Sequence, residues 1–170
     1  MKGYIHLYTG HGKGKTTAAL GLALRAAGAG KMVFVAQFVK GMHYAELDAL
    51  TRFPEIELNQ YGLDCFIENQ PTEMDIQAAR KGLEEVTIMI LGNQYDLIIL
   101  DEVCIALYYH LFETEELISV LLKKPESMEV ILTGRYAPPE LFEIADLVTE
   151  MKEIKHYYTK GVLARKGIEF

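Results

Sequence analysis

The stretch TGHGKGKTT, residues 9–17, decides the fold of this chain of 170 residues. It follows the apolar run of residues 4–8 and leads into an alanine-rich segment, so the pattern predicts a strand, a glycine-rich loop and a helix. Glycine has no Cβ, and a loop rich in it allows successive backbone N–H groups to point at one bound anion. The N-terminus of the helix adds partial positive charge at the same point. The sequence therefore predicts a phosphate-binding loop, or P-loop.

Individual positions in the loop have different predicted roles. Lys15 supplies a mobile ammonium, and Thr16 supplies a hydroxyl suited to Mg²⁺. The general pattern has a glycine where Thr9 stands, whereas Gly14 and the Lys-Thr pair are in place. A surface turn is the plain alternative, and the strand before the loop and the helix after it argue against that alternative. The residues predicted to bind phosphate are Gly10, His11, Gly12, Lys13, Gly14, Lys15, Thr16 and Thr17.

The composition fits one domain over residues 1–170. Half of the residues are hydrophobic and 24% are charged, unlike a disordered chain. The net charge of −7 at pH 7, without a cluster of Lys and Arg, argues against nucleic acid as a partner. The longest apolar stretch, residues 103–112, is too short to cross a bilayer, so no membrane association is expected. We expect a cytoplasmic protein with no signal segment, in which Cys65 and Cys104 are reduced packing residues.

Short apolar runs alternate with helical patterns along the chain, which indicates parallel strands joined by helices. The strands are predicted at residues 4–8, 32–38, 56–59, 97–100 and 130–133. The expected fold class is α/β, with a mostly parallel twisted sheet flanked by helices, of the P-loop NTPase (RecA-like) type.

Three helices are predicted with distinct start signals. The first covers residues 15–27, and the second follows Thr72, with Asp75 as its capping partner. The third has Thr114 as its N-cap and ends before Pro125. Its predicted buried residues are Leu117, Ile118, Leu121 and Leu122. Residues 40–53, which leave room for a short helix, and residues 61–71 have no clear period.

Two carboxylates end the fourth predicted strand, where Asp101 and Glu102 follow an apolar run. Because the carboxyl ends of parallel strands meet at one edge of a sheet, we expect both near Thr16, where they would bind Mg²⁺ together with its hydroxyl. The plain alternative is that they cap the following helix. The spacing does not decide which of the two touches the metal.

Two arginines are further candidates for nucleotide contact. Arg135 follows the strand at residues 130–133, at the expected ligand edge, where its planar guanidinium suits phosphate. A surface arginine after a turn fits that spacing equally well. Arg25 lies on the first predicted helix, and a solvated helix charge is the favoured interpretation on pattern alone.

Six segments spread along the chain carry a resemblance to one family. They are TGHGKGKTTAALGLALRAAG at residues 9–28, VAQFVKG at 35–41, ILDEV at 99–103, ILTGR at 131–135, ADLVTEM at 145–151 and KGVLARKGIEF at 160–170. Together they resemble the P-loop type of ATP:corrinoid adenosyltransferases, which act on cob(I)alamin or cob(I)yrinic acid a,c-diamide. The resemblance runs almost end to end and is sparse between residues 42 and 95.

This resemblance implies transfer of the 5′-deoxyadenosyl group from ATP to the Co(I) of a reduced corrinoid, with release of triphosphate, in adenosylcobalamin biosynthesis or salvage. The substrates implied are ATP and the corrinoid, with Mg²⁺ as cofactor. The family's roles fall on Lys15, Thr16 and Glu102 as catalytic residues, and on Arg25 and Arg135 as nucleotide contacts.

The corrinoid side of the resemblance is less complete. Relatives use aromatic residues in the loop after the third strand to displace the lower cobalt ligand, whereas this chain has no tryptophan. Phe66 is the residue implied as the wedge. We expect no N-terminal extension over the corrinoid, and the resemblance implies a flavoprotein reductant and a homodimer.

Two other functions remain open from the residue pattern alone. One is a P-loop NTPase or small-molecule kinase acting at the γ-phosphate, with Asp101 and Glu102 as metal ligand and base. The other is a nucleotide-binding regulatory module without chemistry of its own.

Overall fold

The computed structural model describes residues 2–63, 67 and 70–169. The strands in these ranges are β1 Ile5–Thr9, β2 Val33–Phe38, β3 Ile56–Tyr61, β4 Leu97–Asp101, β5 Glu129–Thr133 and β6 Leu147–Glu150. They form one sheet in the order β3-β2-β4-β5-β1-β6, and every neighbouring pair is parallel. The predicted α/β class is confirmed, and the described sheet is parallel throughout.

Helices connect the strands and cover both faces of the sheet. They are α1 Lys15–Ala27, α2 Ala45–Leu50, α3 Glu73–Gly92, α4 Val103–Tyr108, α5 Thr114–Leu121 and α6 Pro139–Ile144, with a 3-10 turn at Tyr157–Lys160. The short helix for which residues 40–53 left room is α2. Within the described ranges, these helices are too short or too polar to span a membrane.

The strand β4 shows how the sheet separates two apolar cores. Its side chains alternate, so that Ile98 and Leu100 belong to the core beneath α3, α4 and α5, and Ile99 belongs to the core beneath α1. On α1 the fully buried Ala19 and Ala23 pack in that second core, since small side chains let a helix approach the sheet closely. The same alternation puts the next residue of β4, Asp101, on the α1 face.

The helix signals were only partly correct. The capping box of α3 is confirmed, because the Asp75 backbone N–H donates to Thr72 Oγ1 at 3.3 Å and the Thr72 N–H donates to Asp75 Oδ2 at 2.8 Å. For α5 the predicted N-cap Thr114 is wrong. Glu113 is the N-cap, and its backbone N–H donates to Glu116 Oε2 at 2.8 Å. The N-cap of α5 is therefore one residue earlier than predicted, because carboxylates form the capping box instead of the Thr114 hydroxyl.

The predicted burial of Leu122 is also wrong. Its side chain is 69% exposed, because α5 ends at Leu121 and Leu122 lies at the C-cap. Three elements were not predicted as such: α4, α6 and β6. The last is exposed along its whole length and carries no long apolar run, so it lacks the signal that marked the central strands.

Candidate active site

The P-loop lies at the carboxyl end of β1 and holds its own lysine. Gly10 and Gly14 have φ values of 98° and 117°, in the left-handed region that favours glycine. A Cβ at Gly10 would lie 2.6 Å from the carbonyl oxygen of Met151. Lys15 Nζ donates to the carbonyl oxygens of Gly10 and Gly12, each at 2.8 Å. The ammonium thus lies inside the loop. An anion bound there would replace those carbonyl oxygens as its hydrogen-bond acceptor.

Burial gives this ammonium an unusual electrostatic setting. The pKa of Lys15 is lowered chiefly by desolvation, and the positive charge of Arg135 lowers it further. The carboxylates of Glu102 and Asp101 act in the opposite direction. A polyanion bound in the loop would stabilise the charged form of Lys15 and raise its pKa. In turn, the charged form of Lys15 would strengthen binding of the nucleotide.

Asp101 is the residue on which the site converges. It is fully buried, at 0% exposure. Its Oδ1 accepts hydrogen bonds from the hydroxyls of Thr16 at 2.8 Å and Thr133 at 2.7 Å. Its Oδ2 accepts from Gln37 Nε2 at 3.2 Å and from Lys40 Nζ at 2.8 Å. One carboxylate therefore joins the P-loop to side chains at or just beyond the carboxyl ends of β2 and β5.

Glu102 has a different environment from its neighbour. Its φ of 56° is in the left-handed region, which turns the chain sharply after β4. Burial raises the pKa of its carboxyl, and the charge of Asp101 raises it further, while Lys40, Lys15 and Arg135 lower it. Three cations thus act on this one carboxylate. It occupies the N-cap position of α4 but makes no side-chain cap hydrogen bond, so the helix-cap alternative does not account for it.

Lys40 and Gln37 are site residues that the sequence reasoning missed. Lys40 Nζ lies 2.8 Å from Asp101 Oδ2, its side chain is 13% exposed, and the ammonium lies 5.2 Å from the centroid of the Tyr44 ring. Burial lowers the pKa of Lys40, but the charge and hydrogen bond of Asp101 outweigh it, so the pKa lies above its ordinary value. Both residues are within the VAQFVKG segment, which was the available signal.

Lys13 points away from the centre of the P-loop. Its Nζ donates to Glu169 Oε1 at 2.7 Å, to the carbonyl oxygen of Ile168 at 2.8 Å and to the Tyr157 hydroxyl at 3.2 Å. Arg165 Nε donates to Glu169 Oε2 at 3.3 Å. We call Lys13, Tyr157, Arg165 and Glu169 the C-terminal clasp, because they tie the end of the described chain to the P-loop.

The remaining predicted residues lie at different distances from this centre. Arg135 follows β5, is exposed, and its charge acts on Lys15 and Glu102. Arg25 lies in the last turn of α1, at the far end of that helix from Lys15, and its charge acts on Tyr8. The structure therefore does not bring Arg25 together with the other site residues.

Of the other P-loop positions, His11 and Thr17 are exposed. Phe66 and Cys65 lie outside the described residues. Ile67 is described, and its carbonyl oxygen accepts a hydrogen bond at 3.1 Å from the hydroxyl of Tyr109, the residue that follows α4.

The donor atoms at this centre suit Mg²⁺. Thr16, Asp101 and Glu102 offer a hydroxyl and two carboxylates, which are hard oxygen ligands. Among the described residues, no group of three or more His, Cys, Asp or Glu side chains is placed to hold a metal by itself. Phosphate oxygens and water would therefore complete the coordination, as is usual for Mg²⁺ at nucleotide sites.

Comparison of the sequence with known proteins places this chain in a family. The sequence model of the family described as ATP:corrinoid adenosyltransferase BtuR/CobO/CobP matches residues 1–170. The chain belongs to the ATP:corrinoid adenosyltransferase family. This membership confirms the predicted family and makes the protein an adenosyltransferase that acts on ATP and a corrinoid.

Curated relatives of this adenosyltransferase agree along nearly the whole chain. It is 35% identical over 169 residues to the corrinoid adenosyltransferase of Escherichia coli strain K12, covering 99% of this chain and 86% of the relative. It is 34% identical over 171 residues to that of Pseudomonas aeruginosa, covering 99% and 84%. It is 36% identical over 169 residues to the corrinoid adenosyltransferase CobA of Salmonella typhimurium, covering 99% and 86%. These relatives favour adenosyl transfer over the γ-phosphate and regulatory alternatives.

Proposed function

We propose that the protein transfers the 5′-deoxyadenosyl group of ATP to the Co(I) of a reduced corrinoid and releases triphosphate, in adenosylcobalamin biosynthesis or salvage. The observation that carries the proposal is the meeting, at the carboxyl edge of a parallel sheet, of a P-loop that holds the Lys15 ammonium with the buried Asp101, to which the Thr16 hydroxyl donates. Ligands of open α/β sheets bind at that edge.

The proposed reaction does not require a general base from the protein. The cobalt–carbon bond forms as Co(I) attacks C5′, and the bond between C5′ and the α-phosphate oxygen breaks with its electron pair leaving on triphosphate. Co(I) is itself the nucleophile, so no side chain has to act as a base. The protein must hold C5′ in line with cobalt and stabilise the charge of the departing triphosphate.

The charges of the site suit that second task. Lys15, Lys40 and Arg135 contribute three positive charges, and the carboxylates Asp101 and Glu102 contribute two negative ones. Mg²⁺, when bound by Thr16 and these carboxylates, adds positive charge beside the phosphate oxygens. Together with the P-loop amides, these groups would stabilise the charge that develops on the leaving triphosphate.

The two carboxylates have different proposed roles. Asp101 already accepts four hydrogen bonds, including that of Thr16, so we assign it the positioning of Thr16 and Lys40. Glu102 lies in the field of three cations and makes no cap hydrogen bond with its side chain, so we assign it the closer approach to Mg²⁺. Arg135 is the proposed contact to the nucleotide, and Arg25 is a weaker candidate because it lies at the far end of α1.

Several partner assignments stay predictions from the resemblance. They are the wedge role of Phe66, the flavoprotein reductant and the homodimer; the cytoplasmic location stays a prediction from the sequence itself. We also propose that residues 1–170 work as one domain, because the residues at the centre of the site lie on or next to the strands of one sheet.

The products of the reaction test the proposed function. Incubation with ATP, Mg²⁺ and chemically reduced cob(I)alamin is expected to give a light-sensitive alkyl-cobalt spectrum and intact triphosphate. Release of ADP and orthophosphate without the spectral change would contradict the proposal and favour action at the γ-phosphate.

The same assay tests the site. Lys15→Ala and Thr16→Ala are each expected to lower kcat/KM by roughly 10²-fold or more, since each removes a group that stabilises the leaving triphosphate. Lys31→Ala is the matched control, because Lys31 is exposed and lies after α1. Near-normal rates in both P-loop variants would remove these residues from the site.

A further inference from the structure

Three aromatic rings form a cluster at the P-loop, and the side chains of this cluster have been given no contact with ATP beyond the predicted phosphate-binding position of His11. The rings of Tyr108 and Tyr136 are stacked, with centroids 4.4 Å apart and an interplanar angle of 28°. The ring of His11 meets Tyr136 edge-on, at 5.4 Å and 74°. We call these three residues the aromatic step. Since His11 belongs to the P-loop, the step is continuous with the proposed phosphate site.

The step is open to solvent although its rings are large. Tyr108 is 51% exposed and Tyr136 is 48% exposed, so neither is a core residue. Tyr136 also has a φ of 58°, a left-handed conformation that is unfavourable for a bulky side chain. The fold thus holds an aromatic ring in a costly conformation without burying it, which is the situation found at ligand sites.

Tyr136 lies next to a residue that acts on the proposed triphosphate site. Arg135, the residue before it, acts electrostatically on Lys15 and Glu102. A nucleotide held by its phosphates in the P-loop can place its base only on surfaces that border the loop. The exposed Tyr4 does not meet this condition, because it precedes β1, at the opposite edge of the sheet.

We propose that the aromatic step binds the adenine ring of ATP by stacking on Tyr136, with His11 against its edge. This inference rests on the proposed function only in that the P-loop must hold triphosphate. A purine has the flat π-face that tyrosine and histidine rings accept.

Calorimetric titration with ATP and with tripolyphosphate separates the base from the phosphates. Tyr136→Leu is expected to weaken ATP binding about tenfold, the usual effect of losing one stacked base, and to leave tripolyphosphate binding unchanged within about twofold. Tyr136→Phe keeps the ring and is expected to bind ATP as the parent protein does. Tyr108→Leu removes only the supporting ring and is expected to have a smaller effect.

Tyr4→Leu is the matched control, and thermal unfolding of each variant checks that the fold is intact. Equal affinity of ATP for the parent protein and Tyr136→Leu would overturn the proposal. So would weaker binding of cobalamin with unchanged binding of ATP, which would make the corrin ring the occupant. Failure of tripolyphosphate to bind the parent protein would instead overturn the P-loop assignment, and with it the proposed function.

Discussion

Asp101 contributes both to the stability of the fold and to the geometry of the site. A fully buried carboxylate is costly unless its charge and its lone pairs are satisfied, and here an ammonium, an amide and two hydroxyls satisfy it. The same contacts fix the side chain of Thr16 at the start of α1 and that of Lys40 after β2. The stability of the ligand edge and the geometry of the phosphate site therefore depend on the same atoms.

Asp101→Asn is expected to lower the free energy of unfolding by about 3 kcal/mol, because it leaves the buried Lys40 ammonium without its counter-charge. Lys40→Met is expected to cost a similar amount for the converse reason. Urea unfolding of both variants and of the double variant measures the coupling. The double variant should lose less than the sum, and additive losses would contradict a direct ion pair.

Cys104 is expected to be chemically inert in the folded protein. Burial raises the pKa of its thiol to about 12, so about one molecule in 10⁴ carries the thiolate at pH 8. In a Cys65→Ser background, where Cys104 is the only thiol, reaction with a disulfide reagent at pH 8 should be very slow in the native state and fast in guanidinium. Rapid reaction of the native protein would show that this part of α4 is open to solvent.

At the scale of the elements, the segment after β6 makes hydrogen bonds with the P-loop. The Gly12 backbone N–H donates to the carbonyl oxygen of Met151 at 2.6 Å, and Lys13 joins the C-terminal clasp. The clasp lowers the pKa of Glu169 well below its usual range, first through its hydrogen bond with Arg165 and then through those with Lys13 and Tyr157. The ionised carboxylate of Glu169 is therefore one of the groups that hold this segment against the loop, together with the contacts of Gly12 and Lys13 to backbone carbonyl oxygens.

Glu169→Gln is expected to release the clasp at neutral pH. Limited digestion with trypsin should then cleave faster after Lys160 and Arg165, whereas Glu126→Gln, at an exposed site away from the clasp, should digest like the parent protein. Equal digestion of the two variants would show that Glu169 does not hold the segment.

Acid should have the same effect as this substitution. Because the pKa of Glu169 is lower in the folded state, its contribution to stability is fully present above the ordinary glutamate pKa of 4.5. It is lost progressively as the pH falls from that value through the lower pKa of the folded state. Hydrogen exchange of amides near residue 165 checks this prediction: the protection factor, which is the intrinsic exchange rate at each pH divided by the measured rate, is expected to fall between pH 6 and pH 3.

At the scale of the whole molecule, the metal and the nucleotide should bind together. Mg²⁺ alone is expected to leave Tm unchanged, since the described residues hold no group of three or more metal-binding side chains. ATP with Mg²⁺ at about 100 times Kd should raise Tm by roughly 5–10 °C. Adding EDTA to that mixture should remove part of the rise, and a fall in Tm when EDTA is added without ATP would contradict this account.

Local pattern was enough to predict much of the fold. The strand, glycine loop and helix around residues 9–17, and the alternation of apolar runs with helices, predict a parallel α/β sheet because both signals come from neighbouring residues. The same holds for Asp101 and Glu102 at the end of an apolar strand. Where the signal was weak the prediction was incomplete, as for the exposed strand β6 and the cap of α5 at Glu113.

Sequence alone determined the family, the fold class and the edge of the sheet where the nucleotide is expected. Tertiary structure alone decided which side chains meet there: Thr16 with Asp101, 85 positions away, Lys13 with Glu169, 156 positions away, and His11 with Tyr136. The physical reason is that such contacts depend on strand order, in which β5 lies between β1 and β4, and on left-handed turns such as those at Glu102 and Tyr136. Neither the strand order nor these turns can be predicted from the spacing of residues along the chain.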